Sequence, residues 1–262
     1  MRSSAPAPEV RARLARIAVF WAAVLLAWWA TAASGAWSPA AFPAPGAVLD
    51  ALVAHLGSGE IPRAVVASLQ RMAIGYGLSI ILGMTVGTLI ATSRWADDTI
   101  GGIVLGIQSL PSITWLPLAA LWFGRDERAI VFVVLMGSAF SIATSARAGI
   151  LGIPPLLARA AGTLGASRWQ AYVYVVLPGM VPAMVQGMKQ GWSFAWRALM
   201  AGELLFVTAG LGRLLSEGRD SNDPSLMFAM MAVIIVIGVS VDRLLFGRAE
   251  RWVRERWGYA AG

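Results

Sequence analysis

Long apolar runs alternate along this chain with short polar stretches that carry arginine. A helix needs about 20 mostly apolar residues to cross a hydrocarbon core, and runs of that length recur at 17–34, 66–91, 99–122, 129–147, 176–206 and 226–246. The pattern predicts an all-α membrane protein with six transmembrane helices and both termini on one side. Around a six-helix domain at 17–247, residues 1–16 and 248–262 are read as tails. The first run follows Arg11, Arg13 and Arg16 and ends in small residues, the layout of a cleavable signal peptide. It is longer than such segments usually are and more spans follow, so it is expected to be retained. Between the first two runs, prolines precede Val48, Leu49, Leu52, Val53 and Leu56, which reads as a loop and a helix lying along the outer interface.

The arginines orient the bundle. Arg2, Arg11, Arg13, Arg16, Arg94, Arg147, Arg159, Arg168 and the five arginines from Arg243 to Arg256 share one face under this topology. The opposite face has fewer, most of them beside acids, so the positive-inside bias places both termini in the cytoplasm. Composition agrees with a bilayer as solvent: of 262 residues, 58% are hydrophobic and 13% charged. The net charge of +7 is spread over segment ends rather than gathered on a soluble face, which argues against nucleic acid. With no cysteine and one histidine, His55, the chain cannot build a thiolate or histidine metal cluster by itself.

Small residues in membrane helices let backbones approach, and Ser79, Gly83 and Gly87 recur at four-residue spacing in the second span, with Gly187 and Gly191 in the fifth. The third span is interrupted by "QSLPSITWLP", in which Gln108, Ser109, Pro111, Ser112, Thr114 and Pro117 fall at mid-depth. Two readings stay open: non-helical backbone lining a cavity, or a proline kink satisfied by neighbouring helices. Either way this span, with Trp115, should face the interior.

On the cytoplasmic side, the loop at about 153–172 has its own grammar. Pro154 and Pro155 suit a helix start, and Leu157, Ala160, Ala161 and Leu164 fall at i, i+3, i+4 and i+7 on a narrow apolar face. Gly165 is expected to end that helix in a left-handed cap, and Ser167 with Gln170 forms a capping-box pattern that starts the next. Such a face is buried either in a partner's groove or in the lipid surface, where Arg159 and Arg168 would meet phosphates.

Charges inside spans are costly, on the order of 2.5–3.5 kcal/mol, which marks Arg71, Lys189, Arg197 and Glu203. Lys189, Trp196 and Arg197 share the fifth span and would give an electropositive stretch suited to an anion. The alternatives are that Arg197 pairs with Glu203 or with a neighbouring chain, and that Arg71 snorkels to the outer interface.

"RAAGTLGASRWQAYVYVVLP" resembles the EAA loop of ATP-binding-cassette importer permeases at Ala160, Ala161, Gly165, Leu177 and Pro178, with Arg159 where that family usually has glutamate. "FPAPGAVLDAL", "LPSITWLPLAALWFG", "GWSFAWRALMAGELL" and "RDSNDPSLMFAMMAVIIVIG" extend the likeness along nearly the whole chain, in the manner of the nitrate, sulfonate and taurine branch. The resemblance implies a type I importer permease fold with a cytoplasmic coupling helix. It also implies a homodimer, two ATP-binding subunits below and a solute-binding protein outside. Leu157, Arg159, Ala160, Ala161, Leu164, Gly165, Ala166, Ser167 and Arg168 would then dock the ATPase. Gln108, Ser109, Trp115, Lys189, Trp196, Arg197 and Glu203 would line the path of a small anionic solute. No cofactor is expected in this chain, which lacks a G-x-x-x-x-G-K-[ST] phosphate loop; ATP and Mg would belong to the partner. The competing functions are a self-sufficient secondary transporter or channel, a permease for a heterocyclic nutrient such as a pyrimidine precursor, and an intramembrane enzyme, for which no buried catalytic constellation is present.

Overall fold

The computed structural model describes residues 8–206 and 209–257, apart from the side chains of residues 8–10, Ala158 and Arg168. Arg2 of the first tail, residues 258–262 of the second and the Arg168 side chain of the loop at 153–172 therefore lie outside the described residues. All described secondary structure is helical. In chain order it comprises α1 (Pro8–Ala33), α2 (Pro45–Gly57), α3 (Glu60–Thr92), α4 (Arg94–Gln108), α5 (Ser112–Phe123) and α6 (Glu127–Leu151). It continues with α7 (Pro155–Thr163), α8 (Trp169–Leu205), α9 (Leu211–Asp220) and α10 (Pro224–Trp257). Five helices are long and apolar enough to cross a membrane, and α4 with α5, bent by 101° at their junction, are long and apolar enough only as a pair.

The break resolves the two readings of the third span. α4 ends at Gln108, Pro111 precedes a 3₁₀ turn at Ser112–Trp115, and Pro117 sits at the start of the following α-helical segment. The chain changes direction there instead of kinking, because the two prolines remove amide donors on either side of the turn. Two features go beyond the apolar-run reading. The helix that carries the sixth span does not stop near 246: α10 runs on through a π-helical turn at Asp242–Phe246 to Trp257, so residues 248–257, read as part of a tail, are helical. The segment between the fifth and sixth spans contains a further helix, α9, which the apolar-run reading passes over because its sequence LGRLLSEGRD is amphipathic and polar on average.

The chain divides into two compact units. One holds the residues up to Ile61 with Leu214–Ala232. Here Trp28, Phe42 and Phe228 pack ring against ring, with centroids 5.8–6.4 Å apart, and Trp28 Nε1 donates to the Pro43 carbonyl. The other unit, Pro62–Arg213 with Val233–Gly262, has α6 as its core, with Ile130, Val133, Val134, Ala139, Ile142 and Ala146 all buried.

The small residues explain how α6 is held. Gly75, Gly83 and Gly87 of α3 face α6 so closely that a Cβ on Gly83 would stand 2.6 Å from the Ala139 oxygen, and one on Gly87 would stand 2.3 Å from that of Ala143. Ser79 belongs to the same ridge, accepting a 2.7 Å hydrogen bond from Ser138 Oγ. On α8, Gly187 abuts Ser145 and Gly191 abuts Ile142. Close backbone approach replaces the hydrophobic drive that lipid does not supply.

Candidate functional site

The break between α4 and α5 opens a cavity of about 310 Å³. Its wall includes Gln108, Ser109 and Ser112 from the break, Ser141 and Phe140 from α6, and Phe194 and Arg197 from α8. Polar side chains collect there because the broken span can expose them without meeting lipid. Arg197 is exposed; its Nε donates to the Ser193 carbonyl at 3.0 Å and its guanidinium lies 5.0 Å from the Phe194 ring centroid. Gln108, Ser109 and Arg197 of the expected pathway are thus brought together. Ser141 was missed, although Ser138, Ser141 and Ser145 form a polar stripe at i, i+3 and i+7 along α6 that the sequence displays.

The remaining pathway candidates lie elsewhere. Glu203 is 1% exposed and does not pair with Arg197. It accepts from Arg71 Nη1 at 2.8 Å, from the Gly212 N–H at 3.0 Å and from Ser68 Oγ, which sits 2.8 and 2.7 Å from its two oxygens. Arg71 does not snorkel: it is 5% exposed, and also donates to Glu127 at 2.8 Å and to the Ala209 carbonyl. The group is a knot tying α3, α6 and α8 to the start of α9. A Cβ on Gly210 would come within 2.5 Å of the Glu203 carboxylate, so the loop needs glycine there.

Lys189 is neutralised rather than presented to the cavity. Its Nζ lies 3.0 Å from Glu250, on the extension of α10, and 3.6 Å from Asp242, which opens the π-helical turn before it. Trp196 is buried, stacked on Trp192 at 6.1 Å and close to Gly238, while Trp115 packs edge-on against Phe132. Arg147, near the C-terminal end of α6, is held by Asp97 through two hydrogen bonds of 2.8 and 2.9 Å.

The loop at 153–172 folds as its sequence dictates. α7 ends in a Schellman turn: Gly165 has φ +81°, its N–H donates to the Gly162 carbonyl, and the Ala166 N–H donates to that of Ala161. Ser167 and Gln170 cap α8 reciprocally, Gln170 Oε1 accepting from the Ser167 N–H at 2.8 Å and Ser167 Oγ from the Gln170 N–H at 3.2 Å. Leu164 is 88% exposed, Leu157 50%, and Arg159 and Ala160 are also exposed. Leu157 additionally borders a cavity of about 300 Å³ with Pro154, Gly179, Pro182 and Trp257, so it faces its own chain as well as outward.

With this geometry in view, similarity to known proteins separates the readings. The family model for the binding-protein-dependent transport system inner membrane component matches residues 79–254. The taurine transport system permease protein TauC of Escherichia coli is 29% identical over 239 residues, covering 88% of this chain and 87% of that protein. The nitrate import permease protein NrtB of Leptolyngbya laminosa is 28% identical over 189 residues, covering 72% of this chain and 68% of that protein. A chain of the MetNI methionine ABC transporter in an inward-facing conformation superposes with a TM-score of 0.64 at 20% identity, over 73% of this chain and 94% of that one, and shares the fold. The fold is that of type I ABC importer permeases. This chain belongs to the family of binding-protein-dependent transport system inner membrane components, and is a multi-pass transport subunit.

Proposed function

We propose that this chain is the permease subunit of an ATP-driven importer and forms the translocation pathway for a small oxyanion of the sulfonate, taurine or nitrate type. A separate solute-binding protein delivers the solute on the outer side, and two ATP-binding subunits, which carry ATP and Mg, sit below a permease dimer of two copies of this chain. Both termini are cytoplasmic. The supporting observation is the α7 face itself: an exposed ridge of Leu164, Ala160 and Leu157, locked by two caps onto the helix that carries Arg197. Small side chains on such a ridge allow close seating in a partner's groove. Nucleotide-driven closure of the ATPases would draw the two α7 helices together, and packed helices move as rigid bodies. The secondary-transporter reading has less to work with, since Glu203 is committed to fixed hydrogen bonds instead of a relay.

The test is co-purification with the ATPase subunit. Ala160→Glu places a charge on the ridge and should abolish association and transport while leaving membrane insertion intact. Normal binding and transport by this variant would remove α7 as the docking element.

A further inference from the structure

We infer that the cavity at the α4–α5 break is an oxyanion subsite of the pathway, held by the Arg197 guanidinium, the Ser141 hydroxyl and the Gln108 carboxamide. The inference rests on the importer reading and assigns its substrate class to specific atoms. Arg71, Arg147 and Lys189 each have a carboxylate partner. Arg197 has none among the described residues, and no acid lines the cavity. A guanidinium carries five N–H donors, and among the described residues only the one on Nε is engaged, by the Ser193 carbonyl. An uncompensated cation at membrane depth is a functional position by default.

Ser141 supplies an independent sign. It is 2% exposed, and its Oγ has no hydrogen-bond partner among the described residues. Buried hydroxyls left unpaired are rare in native proteins, and this one borders the cavity that Arg197 enters. A planar or tetrahedral oxyanion answers both groups: two parallel N–H bonds from the guanidinium and one O–H bond from the serine. The cavity's volume of about 310 Å³ exceeds a sulfonate or nitrate group and falls at the lower end of small-molecule sites. Lys189 takes no part, being held by Glu250 and Asp242.

The chain contains no cysteine, so Ser109→Cys places a single thiol in the cavity wall. In the full-length chain in nanodiscs, the thiol is reacted with an anionic 2-sulfonatoethyl methanethiosulfonate and a cationic trimethylammonium analogue, each rate normalised to that of a free thiol in solution. One unit charge about 4 Å away in a wet site is worth about 1 kcal/mol, attracting the sulfonate reagent and repelling the ammonium one, so their normalised rates should differ by roughly 30-fold. Arg197→Gln should erase the preference, Arg197→Lys should keep it, and Lys189→Gln should leave it unchanged. Added ethanesulfonate should slow labelling, and Ser141→Ala should weaken that protection several-fold. A preference that survives Arg197→Gln, one that vanishes with Lys189→Gln, or a thiol that neither reagent reaches overturns the proposal. The assay needs no ATPase, so its outcome is separate from that of the docking experiment.

Discussion

Glu203 shows what a single side chain inside a span commits the rest of the structure to. With Arg71, Ser68 and the Gly212 amide around it, its charge is matched and its oxygens are filled. Removing one partner of a buried ion pair leaves the other uncompensated, a loss of about 3–5 kcal/mol, whereas replacing both with apolar groups is often close to neutral. Arg71→Met should therefore lower the unfolding temperature in detergent more than the Arg71→Met/Glu203→Met double variant does; equal losses would show that the pair is not coupled. The two charges were visible as in-span anomalies, but their pairing was not. Periodicity places a residue on a face of its own helix, and says nothing of which residue more than a hundred positions away meets that face. The same gap explains Lys189, whose partners are Asp242, inside the expected sixth span, and Glu250, beyond its expected end.

At the scale of elements, local rules were reliable wherever the cause is local. The Schellman turn at Gly165 and the box at Ser167 and Gln170 are set by fewer than ten residues, and both form as their sequence specifies. The glycine ridge of α3 was legible for a similar reason, since four-residue spacing fixes one helix face; only its partner, α6, had to come from the structure. α9 and the extension of α10 were not, because apolar run length reports the bilayer and not helicity. The extension does carry a pattern, with Phe246, Glu250, Val253 and Trp257 at i, i+4, i+7 and i+11, and Phe246 and Val253 are buried. Packing gives a controlled test of the ridge. Gly87→Leu drives a side chain into the α6 backbone and should cost at least the 1–3 kcal/mol typical of overpacking, read as lower monodisperse yield and unfolding temperature. Gly77→Leu, on the same helix with nothing within 4 Å of its Cβ, should be tolerated.

At the scale of the whole molecule, one helix connects the parts that matter. α8 has 37 residues and is about 55 Å long at 1.5 Å per residue, well beyond a hydrocarbon core of about 30 Å. Its first turn is capped next to α7, Arg197 stands further along it, and Glu203 ties its far end to α9 and to α3, whose Arg71 also holds Glu127 of α6. In the proposed transport cycle a displacement of α7 reaches the cavity along this helix, which requires a stiff joint between α7 and α8. That joint consists of the Gly165 turn and the reciprocal Ser167–Gln170 cap, which together satisfy the amides and carbonyls that would otherwise fray. Inserting two glycines between Ala166 and Ser167 should break the joint while preserving the α7 face. In proteoliposomes carrying the ATPase subunit and the binding protein, this variant is expected to keep ATPase association and basal hydrolysis but to lose most solute uptake per ATP consumed. Uptake per ATP at the wild-type level would mean that force reaches the cavity by a route other than α8.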